Sequence, residues 1–163
     1  MVISSKREVP KDKLVSISGD EIEYGPTYKY LGVWLDEKLD FNVFASELYN
    51  KMLSKYHMLK KVSHKLNRQT LSLLHKSLIM PSVDYCSSVL FNFNESQLQK
   101  LQKVQNRMMR LILRAGWDTH IIDMQKELGW LSIKQRVTHN TLKFLYKIEN
   151  EEVPNYLKSG LTV

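Results

Sequence analysis

Two hydrophobic rhythms divide the chain. Before residue 40, apolar residues alternate with polar ones or gather in short runs: VIS at 2–4, LVSIS at 14–18, EIEY at 21–24 and YKYLGVWL at 28–35. Period-two patterning of this kind predicts strands. Gly19-Asp20 separates two of the runs and predicts a hairpin, and Gly25-Pro26 is a second break. Read as one strand, YKYLGVWL places Tyr28, Tyr30, Gly32 and Trp34 on one face and Lys29, Leu31, Val33 and Leu35 on the other. Glycine in a strand interior adds no packing, so Gly32 implies a bulge, tight packing or the close approach of another backbone.

After Asp40 the period becomes helical. Phe41, Ala45, Leu48, Met52, Lys55, Leu59, Val62 and Leu66 recur at steps of three and four, with Asp40 as the predicted N-cap and Asn67 as the end. LSLLHKSLIM (71–80) predicts a shorter helix, and Pro81 suits the first turn of the next, PSVDYCSSVLF. Residues 96–115 predict a long helix ending near Gly116. IIDMQKEL (121–128) predicts a short one stopped by Gly129, and 132–150 a last long one before a loose tail marked by Pro154 and Gly160. The expected fold is mainly α, of the α+β class: a small N-terminal antiparallel β element followed by a bundle of five or six helices. The expected divisions are 1–39, 40–115 and 116–163.

Composition narrows the function. The chain has 163 residues, 43% hydrophobic and 25% charged, enough for a packed core. No apolar run approaches the ~20 residues that span a bilayer, and the N-terminus does not read as a signal peptide. The lone cysteine, Cys86, excludes an internal disulfide and fits a reducing compartment, so the expected location is intracellular, in nucleus or cytoplasm. Net charge is +7, and residues 41–80 hold most of it, with seven basic side chains against one acidic. Such a patch fits a polyanion, most simply nucleic acid; a lysine-rich solvated helix face fits it too.

The catalytic signals are missing. There is no glycine-rich phosphate loop, no GxSxG and no HExxH. His57, His64, His75, His120 and His139 have no metal-ligand spacing among themselves or with Cys86. No paired aspartates sit on a strand-turn-strand, as a two-metal polymerase or nuclease site requires. Glu149, Glu151 and Glu152 read as a solvated helix end.

The basic residues say more. Lys100, Lys103, Arg107, Arg110 and Arg114 run one position ahead of an apolar stripe formed by Leu101, Val104, Met108, Leu111 and Ala115. They therefore make a positive stripe roughly 100° from the buried one. It either tracks a phosphate backbone or is an exposed flank whose stems cover the core. Lys55 stands in the apolar seam between Met52 and Leu59. An unpaired buried ammonium is costly, so it either snorkels out or faces something anionic. Lys51, Lys60, Lys61 and Lys65 add charge around the same helix.

In order, YKYLGVWLDEKLDF, SLIMPSVDYCSSVLF, LQKLQKVQNRMMRLIL, ELGWLSIKQR and VPNYL resemble the C-terminal part of non-LTR (LINE-type) retrotransposon reverse transcriptases, with the Jockey/CR1-like group nearest in flavour. The resemblance covers nearly the whole chain. It implies that MVISS follows the end of a catalytic palm whose paired aspartates are not in this chain. It also implies that YKYLG is the primer-grip hairpin, that the basic helices are the thumb, and that QNRMMR and ELGWLSIKQR belong to a post-thumb connector. On that reading Tyr28, Lys29, Tyr30, Leu31 and Gly32 meet the primer. Lys51, Lys55, Lys61, Lys65, Lys103, Arg107, Arg110 and Arg114 meet the template-primer duplex, an RNA–DNA hybrid or DNA duplex. The implied partners are that nucleic acid and the palm and fingers of the parent protein, with no membrane. The parent would be an RNA-directed DNA polymerase. This chain alone would be no enzyme and would hold no cofactor, since Mg²⁺ belongs to the palm. Two other readings stay open: a helical protein-interaction module, and a non-functional remnant of a retroelement.

Overall fold

A computed structural model describes residues 16–17, 20–21, 25–150 and 154; the expected strand at 2–4 and all of the C-terminal tail except Pro154 lie outside them. Two compact units meet between Glu47 and Leu48.

The first unit holds two antiparallel strand pairs. Strands β1 (Ser16–Ile17) and β2 (Asp20–Glu21) pair Ser16 with Glu21 and Ile17 with Asp20, which is the hairpin expected there. The run YKYLGVWL is not one strand. It folds back as β3 (Thr27–Tyr30) and β4 (Val33–Asp36), joined by a two-residue turn at Leu31-Gly32. Both turn residues have positive φ, 46° at Leu31 and 85° at Gly32. That is the mirror-image turn whose twist matches paired strands, and it favours glycine at its second position. The turn itself therefore supplies a local reason for Gly32.

The faces change accordingly. Cross-strand partners point the same way, so Lys29 shares a face with Trp34, while Tyr28 pairs with Leu35 and Tyr30 with Val33. The expected grouping of Trp34 with the two tyrosines does not hold, because the turn resets the alternation. Leu39 (φ 54°) and Phe41 (φ 55°) then carry the chain through left-handed conformations. Helix α1 begins at Asn42, two residues beyond the expected cap Asp40, whose N–H donates to Asp36 Oδ1 at 2.7 Å.

Helix α1 spans Asn42–Val62, and its predicted seam is buried at Ala45, Leu48, Met52 and Leu59. A 3-10 turn at Ser63–Lys65 follows. Asn67 does not simply end the helix. It caps the next one, α2 (Arg68–Leu74), by accepting from the Thr70 N–H. The chain then widens into a π-helical turn at His75–Ile79. Pro81 opens the one-turn helix α3 (Pro81–Asp84), and Cys86 (φ −129°, ψ 42°) breaks it from α4 (Ser87–Leu90).

Three longer elements complete the second unit. Helix α5 (Glu95–Leu113) starts on a capping box in which Asn94 and Gln97 satisfy each other's backbone N–H, and α7 (Ile133–Glu149) starts on the same device with Ser132 and Gln135. Helix α6 (Ile121–Leu128) stops at Gly129, which takes the left-handed conformation (φ 64°) expected of a helix-ending glycine. Helix α5 packs against α2, α6 and α7, and α3 and α4 pack on α7. Leu101, Val104, Met108 and Met109 of α5 are fully buried at the centre of this core. Among the described residues no helix is long and apolar enough to cross a membrane.

Candidate nucleic-acid interface

On α5 the cations fall on the outer line of the helix. The buried face is made by Gln97, Leu98, Leu101, Val104, Gln105, Met108, Met109 and Ile112, while Leu111 and Ala115 are only half-buried. At ~100° per residue, Lys100, Lys103, Arg107 and Arg110 lie roughly 150° from the centre of that face, farther than the 100° expected, because the apolar stripe is rotated toward Met109 and Ile112. Arg114 leaves the line. It caps the helix in the left-handed conformation (φ 53°), so the stripe ends at Arg110. Arginines near a helix C-terminus also suit the negative end of its dipole.

The α1 lysines are more dispersed. Lys51, Lys60 and Lys61 are all exposed. Nine residues of helix put Lys60 roughly 180° from Lys51, with Lys61 between them on the outermost line. Lys65 belongs to the 3-10 turn beyond the helix. These side chains do not form a second stripe.

Lys55 resolves differently from either expectation. Its ammonium donates to the backbone carbonyl of Leu78 and to Ser82 Oγ, the latter at 2.9 Å. It thus bridges α1 to the break between the π-turn and α3, where Pro81 has no N–H to give. Burial, then the charge of Lys51, lowers its pKa. The seam position is polar because the next helix break supplies acceptors. Replacing Lys55 with Met is expected to cost about 1–3 kcal/mol through the two abandoned acceptors, and urea unfolding of that variant measures it. An unchanged midpoint would show that the bridge contributes nothing.

Lys29, Tyr28, Tyr30, Leu31 and Gly32 form the β3 end of the hairpin. Tyr28, Tyr30 and Leu31 are exposed, Leu31 most of all at 72%. Lys29 is engaged. It pairs with Glu47 at 2.9 Å and lies 5.1 Å from the Trp34 ring centroid, while the Trp34 indole N–H donates to the other Glu47 oxygen.

Ion pairing separates used cations from free ones. Among the described residues the salt bridges are Lys29–Glu47, Arg68–Glu127, Lys134–Glu95 and Arg136–Asp84. None includes Lys51, Lys61, Lys65, Lys103, Arg107 or Arg114.

A feature the sequence did not announce lies at the α5–α7 junction. Gln105 is buried and donates to the Leu131 carbonyl at 3.0 Å, while Gln102 accepts from the Ile133 N–H at 2.8 Å. Beside them is a cleft of about 300 Å³ lined by His75, Lys76, Gln105, Trp130 and Arg136 among others. His75 is 1% exposed and stacks on Trp130, with ring centroids 4.1 Å apart and planes 14° from parallel. Among the described residues neither ring nitrogen of His75 has a hydrogen-bond partner, nor has the Trp130 indole N–H. Burial, then Arg136, then Lys76, pulls the His75 pKa down to about 3. Arg136 itself is held by Asp84 through two bonds of 2.7 and 2.8 Å, and Asn140 donates to the same carboxylate. Cys86 is free and half-buried, and burial raises its thiol pKa. Among the described residues no group of three or more His, Cys, Asp or Glu is placed to hold a metal.

The chain has matches among the RNA-directed DNA polymerases of mobile elements. The chain is 26% identical over 152 residues to the RNA-directed DNA polymerase from mobile element jockey of Drosophila funebris, covering 91% of this chain and 16% of that protein. The probable RNA-directed DNA polymerase from transposon X-element of Drosophila melanogaster is 22% identical over 136 residues, and the jockey polymerase of the same fly 24% over 137. Each of those two alignments covers 82% of this chain and 15% of the relative, so the chain spans about a sixth of the length of the curated relatives it matches. No family model matches the chain, and no solved structure does.

Proposed function

We propose that the chain is the template-primer-binding part of a retroelement reverse transcriptase. Residues 1–39 would supply a primer-grip-like hairpin, 40–115 a thumb-like basic bundle and 116–163 a helical connector. The observation that carries the reading is the α5 line of Lys100, Lys103, Arg107 and Arg110, set on the outer side of the best-buried helix. The similarity to RNA-directed DNA polymerases supports it. Phosphates are the ligand such a line selects, and it reads duplex shape rather than base sequence. Lys51, Lys61 and Lys65 add diffuse attraction. Lys55 acts through the fold by holding the α3 break. Polymerisation, with its Mg²⁺, is assigned to a palm elsewhere in the parent protein, and this chain binds without catalysing.

Fluorescence anisotropy with an RNA–DNA hybrid tests this. Four phosphate contacts predict a log–log salt slope near −3.6, hence a loss of affinity on the order of 100-fold between 50 and 200 mM salt. Undetectable or salt-independent binding overturns the proposal. One observation favours a protein-interaction module instead: Leu142, Phe144, Leu145 and Tyr146 near the end of α7 are all exposed. Self-association by light scattering that survives nuclease treatment would support that reading.

A further inference from the structure

We propose that Trp117 is a stacking platform for an unpaired nucleobase at the end of the α5 cation line. The inference rests on the phosphate-binding reading and adds a class of substrate to it: a duplex that continues into a single strand.

Trp117 is 84% exposed, the most exposed of the large hydrophobic side chains among the described residues. The other two tryptophans are occupied, Trp34 beside Lys29 and Glu47, and Trp130 against His75. Trp117 is presented in the connection between α5 and α6, where the left-handed cap at Arg114 turns the chain off the helix axis.

One face of the ring has a partner. The Arg110 guanidinium lies 5.3 Å from its centroid, and Arg110 Nε donates to the Gly116 carbonyl at 3.3 Å. A cation over one face attracts an aromatic ring, and at 84% exposure most of the ring still meets solvent. Arg110 is also the last member of the outer line, so Trp117 continues that line with an apolar plane. A backbone held by Lys103 and Arg107 would arrive at the ring with its next base. Aromatic faces accept any base, and they accept it only when it is unstacked from its own duplex. Asp118 is close to Gly116, its carboxylate beside the position a Cβ on that glycine would take.

The test compares a blunt RNA–DNA hybrid with the same hybrid carrying a single-stranded extension, on the full chain at fixed salt. Trp117→Ala should weaken the extended substrate roughly tenfold, as the loss of one stacked base predicts, and leave the blunt one unchanged. Trp117→Phe should retain most of the affinity, and emission from Trp117 should be quenched by the extended substrate alone. The circular dichroism melt should be unaffected, since the ring is outside the core. Equal affinity of Trp117→Ala for both substrates at the level of the unsubstituted chain overturns the stacking role while leaving phosphate binding intact. Equal weakening of both also overturns it, because the ring would then touch duplex. If Trp117→Ala abolishes self-association in light scattering without changing either affinity, the ring serves a protein contact instead. No binding of either substrate by the unsubstituted chain overturns the phosphate-binding reading, and the stacking with it.

Discussion

Reversing two charges on α5, Lys103→Glu with Arg107→Glu, is expected to lower affinity for an RNA–DNA hybrid at least tenfold at 100 mM salt and to flatten the salt slope by about 2. The slope is the sharper measurement. A salt slope counts displaced counterions, so losing two phosphate contacts changes it by close to 0.9 each whatever the absolute affinity. Both side chains sit on the outer line, away from Leu101, Val104 and Met108, so folding should be preserved. Lys126→Glu on α6 is the control, a single reversal that carries half that charge change. It should leave the slope near its original value, because Lys126 is not on the α5 line. If the α6 variant loses half as much slope as the α5 variant, in proportion to its charge change, net charge explains the binding and the line does not.

The second large effect is on stability and follows from His75. Its folded pKa of about 3 lies below the ordinary value near 6.5. The unfolded chain therefore takes up the proton first, and the stability that His75 contributes is present above pH 6.5 and lost as pH falls toward 3. By pH 5 the loss amounts to about 2 kcal/mol from this one group. The groups facing the ring make protonation worse: Arg136 from α7, although paired with Asp84, and Lys76 from the same turn. Gln105 and Trp130 complete the surroundings without a negative charge. Urea unfolding at pH 7, 6 and 5 should show midpoints falling in step, and His75→Phe should flatten that dependence. A parent chain with level stability over this window would sink the claim. The window stops at pH 5 because exposed carboxylates begin to titrate below it.

The long helices were readable because their signals are local. Gly129 ends α6 where expected, and the period-3.6 face of α5 was found to within about one residue's rotation. The small rotation arose from Leu111 and Ala115, which look apolar enough to be inside and are not. The hairpin at 27–36 is hidden in the sequence for a different reason. Every residue from Tyr28 to Leu35 except Gly32 is one that strands or cores accept, and leucine at positive φ carries no turn signal. Gly32 carries a signal, but by itself it leaves a bulge, tight packing and the approach of another backbone open, and the cause is the turn to its own neighbouring strand. Lys55 was legible as an oddity and not as an answer. Its acceptors are 23 and 27 residues away, and only the break before Pro81 exposes them. The His75–Trp130 stack had no signal at all, because neither residue has a partner nearby in sequence.

The wide turn at His75–Ile79 has a consequence for phase. Leu71, His75, Ile79 and Val83 are all buried, at unbroken steps of four. On a regular α-helix, steps of four overshoot each turn by about 40°, and three of them would carry the last residue roughly 120° away from the first. The π-turn takes up part of that drift by fitting an extra residue into one turn. Chain length within 75–79 is therefore a setting, in the way that thread pitch is. Removing any one of those five residues, whatever its chemistry, would advance everything after Pro81 by about 100° and point Val83 and Leu90 at water.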